Sequence, residues 1–161
     1  MTKNTLLEAL KDFTMVATQN IVLPTVKQKD TVETFRPADV YLMRLPDGSS
    51  AKKKVPYIIH QFVNGKDKQP SGKLPESSAL VRSIFCVYSA DEQEGSLALL
   101  NLMDRLQIAL EKQVVIGGQF ELDLGVGVET LVYTDNTAPY YVGEMATTWK
   151  MPAIQREVTI L

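Results

Sequence analysis

Residues 81–112, VRSIFCVYSADEQEGSLALLNLMDRLQIALEK, join an extended segment to a long helix, and the architecture follows from that junction. Val81–Tyr88 alternates: Val81, Ser83, Phe85 and Val87 point one way, and Ile84, Cys86 and Tyr88 the other. Apolar groups on both faces suit a central strand covered on both sides. Ser89-Ala90-Asp91-Glu92 has the form of a capping box, and further acids follow where a helix dipole favours them. Leu99, Leu102, Met103, Leu106 and Leu110 then recur at i, i+3, i+4, i+7 and i+11, the spacing of one buried helical stripe. The pattern predicts a helix from Asp91 to Lys112, about 33 Å long at 1.5 Å per residue.

Upstream, Thr5-Leu6-Leu7-Glu8 reads as another capping box, opening a helix over residues 5–18 with Leu6, Leu10, Phe13 and Ala17 on its apolar side. Ile21–Pro37 has no sustained period and reads as a surface path. Ala38–Leu45 is extended, with Val40 and Leu42 opposite Tyr41 and Met43. Tyr57–Val63 is rich in β-branched and aromatic residues, and Asn64-Gly65 is a turn dipeptide. Lys66–Glu76, with its lysines, glycine, serine and prolines, reads as an exposed flexible loop. Downstream, Gly117-Gly118 ends the helical run. Strands are expected at Phe120–Leu124, Val128–Tyr133 and Gly143–Met151, with a last extended piece at Gln155–Ile160. Strands in runs with helices between them predict an α+β fold. Its form is a mainly antiparallel sheet packed by a long central helix and an N-terminal helix, in a single domain spanning residues 1–161.

The 161 residues include 45% hydrophobic and 22% charged side chains, the balance of an ordinary globular chain. Nineteen acidic against 17 basic groups leave a formal charge of −2, which argues against a protein built to grip nucleic acid. A single cysteine, Cys86, makes no internal disulfide, and with a single histidine it leaves no basis for a histidine/cysteine metal site. No stretch reads as a membrane span or an export signal, so the expected place of synthesis and assembly is the cytoplasm.

Tested one at a time, the reactive residue types yield no catalytic motif. His60 stands in a predicted strand with no serine or cysteine motif beside it. A small-enzyme reading would pair it with a strand carboxylate such as Glu121 or Asp123. Cys86 reads as a small buried hydrophobe. Asp91, Glu92 and Glu94 are better read as helix-start acids than as metal ligands. Gly125-x-Gly127 lacks the third glycine of a dinucleotide loop and lies between strands. No catalytic, cofactor-binding or metal-binding residue is therefore assigned. Lys52-Lys53-Lys54 reads either as a contact for a partner or as a solvated face. Tyr140-Tyr141, after the turn that begins at Asp135, offers rigid contact area to a partner or clamps a loop over the core.

Several segments together resemble the tail terminator, or tail completion, proteins of long-tailed bacteriophages and related prophage particles. They are Tyr57-Ile58-Ile59-His60-Gln61, Ile84–Tyr88 running into Ser89–Gly95, the helix Leu97–Leu110, the acidic turn Asp135–Tyr141 and Trp149-Lys150-Met151-Pro152. The likeness spans about Tyr57 to Val158 and rests on element order and local texture. It implies a compact α+β subunit that forms a ring, commonly hexameric, on the head-proximal end of the tail tube. Such a ring stops tube polymerisation and offers the head's neck or connector proteins a docking surface. The implied partners are other copies of the chain, the tail tube protein and the connector. DNA passes through the ring without specific binding, no cofactor or membrane is involved, and the protein ends in the virion tail. A head-completion or neck adaptor protein is the neighbouring alternative. On this reading the contacts are expected at Lys52, Lys53 and Lys54 in the loop Ser49–Lys54, at Lys66–Glu76, and at Asp135, Tyr140 and Tyr141.

Overall fold

The computed structural model of the chain describes residues 2–26, 32–46, 54–135 and 137–154. Helix α1 spans Lys3–Thr18 and is followed by strands β1 (Leu23–Pro24), β2 (Phe35–Arg36), β3 (Asp39–Leu42), β4 (Tyr57–Lys68) and β5 (Glu76–Tyr88). Helix α2, Glu92–Gln113, precedes β6 (Val115–Ile116), β7 (Phe120–Leu122), β8 (Glu129–Val132) and β9 (Tyr140–Met151). The main sheet runs β3-β4-β5-β9-β7-β6, with β8 also on the outer side of β9, and a separate ribbon pairs β1 with β2. Among the described residues every pairing is antiparallel except β3 with β4. The fold is thus α+β with a mainly antiparallel sheet, as the element order predicts.

Helix α2 falls within a residue of its expected bounds, with the whole stripe Leu99, Leu102, Met103, Leu106 and Leu110 buried. Its cap is one step along from the expected box: Asp91 is the N-cap, its Oδ1 accepting from the Glu94 amide at 2.9 Å, while Ser89 Oγ accepts from the Asp91 amide. A carboxylate is the stronger acceptor at the positive end of a helix. Helix α1 begins earlier than expected, because Thr2 and Thr5 form the reciprocal box rather than Thr5 and Glu8. Its fully buried side is Leu6, Leu7, Leu10, Thr14 and Thr18, and the expected Phe13 and Ala17 pack half-buried against the same core. The threonines tolerate burial because each hydroxyl donates to the carbonyl four residues back, Thr14 to Leu10 at 2.7 Å and Thr18 to Thr14 at 2.8 Å.

Both helices pack on one face of the sheet, against Ile58, Val81, Phe85, Val87, Met145 and Trp149. The expectation that β5 is covered on both sides is corrected: it is central, between β4 and β9, but no helix among the described residues lies on its other face. Ile21–Pro37 is corrected too, since Ile21 and Leu23 join the core and β1 pairs with β2. The largest correction is at Asn64-Gly65, which is no turn. Strand β4 passes straight through it, with a bulge between Phe62 and Asn64, and pairs with β5 to Lys68 opposite Glu76. The hairpin turn lies at Gln69–Pro75, and part of the expected loop is strand. Pairing across to β5 outweighs the local turn preference. The predicted piece Gln155–Ile160 lies outside the described residues.

Candidate functional site

The face of the sheet opposite the two helices, on which no described helix packs, is built from the side chains that alternate with the core set, with Ile59 and Cys86 buried within it. Register places them in rows across the strands. Tyr41, Ile59, Ile84, Glu144 and Leu131 form one row, and Gln61, Arg82, Ala146 and Glu129 the next. Lys66, Ser78, Lys150 and Glu121 form a third, farther along. The chain has six tyrosines, and five of them fall on this face: Tyr41, Tyr57, Tyr88, Tyr133 and Tyr140. Tyr41 meets Tyr57 edge-on, with ring centroids 6.4 Å apart, and Tyr88 lies 5.8 Å from Tyr140. Beneath them Cys86 is buried and hydrogen-bonded to Tyr57, and burial pushes its thiol up to about 11. That thiol is a packing group, not a nucleophile. At mid-face Glu144 accepts from Tyr133 Oη at 2.9 Å and meets Arg82 at 3.4 Å.

Among the described residues the two margins of this face are open. Strand β3 covers only Tyr57–His60 of β4, so the rest of β4, as far as Lys68, has no described strand on its outer side. Strand β8 pairs with β9 alone. Exposed apolar groups collect at both margins: Leu124, Val126, Leu131 and Tyr133 beside β8, and Met43, Val63 and Leu74 beside β4. A tyrosine-bearing face with no described helix over it and with apolar margins is a surface suited to a protein partner.

Of the residues expected at contacts, Lys52 and Lys53 lie outside the described residues. Lys54 is tied down: its Nζ donates to the Pro46 carbonyl at 2.7 Å, and its own carbonyl accepts from Arg36. Asp135 is exposed. The adjacent tyrosines divide the two roles between them, because neighbours on a strand face opposite ways. Tyr140 joins the open face beside Tyr88. Tyr141 turns to the helix side, where its ring lies so close against Gly95 that a Cβ there would overlap Cε2 and Cδ2. Lys54 and Tyr140 sit at one end of the sheet and Lys66–Glu76 at the other, so the expected contacts form two patches.

His60 sits at the centre of the core, fully buried between helix α1 and strand β5. Its Nε2 lies 2.8 Å from Thr14 Oγ1 and its Nδ1 2.7 Å from Ser83 Oγ. Thr14 gives its own proton to the Leu10 carbonyl, so it accepts from Nε2–H and Ser83 donates to Nδ1. That assignment fixes the neutral tautomer. Burial alone lowers the imidazole to about 3. Asp123 instead accepts from the Gly125 and Val126 amides, and Glu121 lies 3.9 Å from Lys150. The structure does not bring His60 and these carboxylates into one unit.

Sequence reasoning missed the open face as a unit. Its only trace is the polar-side alternation of β4, β5 and β9, whose neighbours are fixed by register. No family model and no curated protein matches the chain. Among solved structures, one whose name conveys no activity aligns over 97% of this chain and 99% of its own, at 9% identity and a TM-score of 0.47. Similarity at that level carries no argument. No helix among the described residues is long and apolar enough to cross a membrane.

Proposed function

We propose that this protein is a structural assembly subunit that acts by self-association, closing a ring at the head-proximal end of a phage tail tube. The ring stops tube polymerisation and presents the surface on which the head docks. The observation that carries this reading is the sheet face that no described helix covers, with five tyrosines and, among the described residues, an open strand edge at each margin. Amphipathic aromatic rings on a rigid sheet supply contact area at low entropic cost. A repeated head-to-tail contact closes on itself and so limits growth. The resemblance of the Tyr57–Gln61 strand, the Ser89–Gly95 junction and the Trp149–Pro152 segment to tail terminators supplies the biological setting.

The test is light scattering on the purified chain over a wide concentration range, with negative-stain microscopy in the presence of tail tube protein. Annular particles that cap tubes are expected. A chain that stays monomeric throughout and leaves tubes uncapped overturns the reading.

A further inference from the structure

The two open margins differ in sign. From Asp123 to Asp135, around β8, the chain carries Asp123, Glu129 and Asp135 and no basic residue. From Gln61 to Pro75, the β4 arm and its turn, three lysines, Lys66, Lys68 and Lys73, stand against one aspartate, Asp67. Both margins have backbone groups to offer. The Tyr133 amide donates to the Val142 carbonyl, and Leu131 lies opposite Glu144. The alternation of an antiparallel ladder then turns the N–H and C=O of Thr130 and Val132 outward. On β4, the His60 carbonyl accepts from the Met43 amide on the β3 side. The bulge after Phe62 shifts that parity, so Gly65 and Asp67 face outward.

We infer that the β8 margin of one copy pairs with the β4 arm of the next, continuing the sheet from subunit to subunit. The inference rests on the self-association proposed above and names its contact. Strand directions support it: β4, β5, β9 and β8 alternate, so copies repeated in the same sense set β8 antiparallel to the neighbouring β4. Charge selects the same pairing. Lysines on an edge strand repel a second copy of that edge, as the acids beside β8 repel theirs, while each attracts the other. The contact is therefore head-to-tail, and its exposed apolar groups, Leu131 and Val63 among them, lose water on pairing.

Proline at an outward-facing position removes an edge donor while leaving the inner ladder whole. Thr130→Pro and Asp67→Pro are each expected to yield monomers, with circular dichroism and thermal midpoint near those of the parent, under conditions where the parent assembles. Charge reversal gives a second reading should either variant fail to fold. Glu129→Lys is expected to raise the dissociation midpoint several-fold, and Lys66→Glu with Lys68→Glu in the same chain to restore it. If the parent assembles and both folded proline variants assemble equally well, or the reversals neither weaken nor rescue, this contact is wrong and self-association stands. Assembly that stops at a symmetric pair of copies also overturns it. A parent that remains monomeric overturns both.

Discussion

His60 shows how much one buried side chain constrains. Its folded form titrates near 3 while an exposed imidazole titrates near 6.5. Between those values the unfolded chain binds a proton that the folded chain refuses, so stability rises with pH across the window and is full above about 6.5. The expected slope approaches about 1.4 kcal/mol per pH unit below pH 6. Urea unfolding at pH 7.5, 6.5 and 5.5 checks it, and because the chain has no other histidine, a flat profile would refute the buried assignment. Gly95 is the second such position. Alanine ordinarily strengthens a helix by about 1 kcal/mol over glycine, but here its methyl would enter the ring of Tyr141. Gly95→Ala should cost about 1–3 kcal/mol of stability by overpacking. In a Tyr141→Ala background the same change should become neutral or favourable, a comparison that thermal melts read directly.

Among the elements, helix α2 bears the greatest share of the apolar stripe. Leu106, within it and fully buried, is expected to cost about 2–5 kcal/mol when cut to alanine, measured by denaturant midpoint. Strand β4 makes a different point. Its arm runs on through Asn64-Gly65 because each residue from Asn64 to Lys68 has a partner on β5. Limited trypsin digestion should therefore cut this hairpin first after Lys73, in the turn beside the 81% exposed Leu74, and only later after Lys66. An early cut after Lys66 would contradict the strand.

At the largest scale, among the described residues, two helices pack on one face of the sheet and the other carries five tyrosines and charged side chains. If assembly uses oppositely charged margins, raising salt from about 50 to about 500 mM should weaken it several-fold, since exposed ion pairs contribute about 0.2–1 kcal/mol each and are screened. Sedimentation velocity at the two salt concentrations measures this. An assembly indifferent to salt would point to the tyrosines and apolar margins, rather than charge, as its driving contact.

Periodicity alone carried the two helices, the central strand and the α+β class, because the apolar spacing of α2 and the alternation of Val81–Tyr88 are local and have few competing solutions. It misplaced what depends on a distant partner. Asn64-Gly65 reads as a turn until β5 lies beside it, and Tyr140 and Tyr141 read as one patch until strand geometry sends them to opposite faces. Sequence by itself determined the two helices and the central strand, since their side-chain period is local. Only the tertiary structure decided which face the helices pack on and which edges are open among the described residues, since both follow from register between strands far apart in the chain.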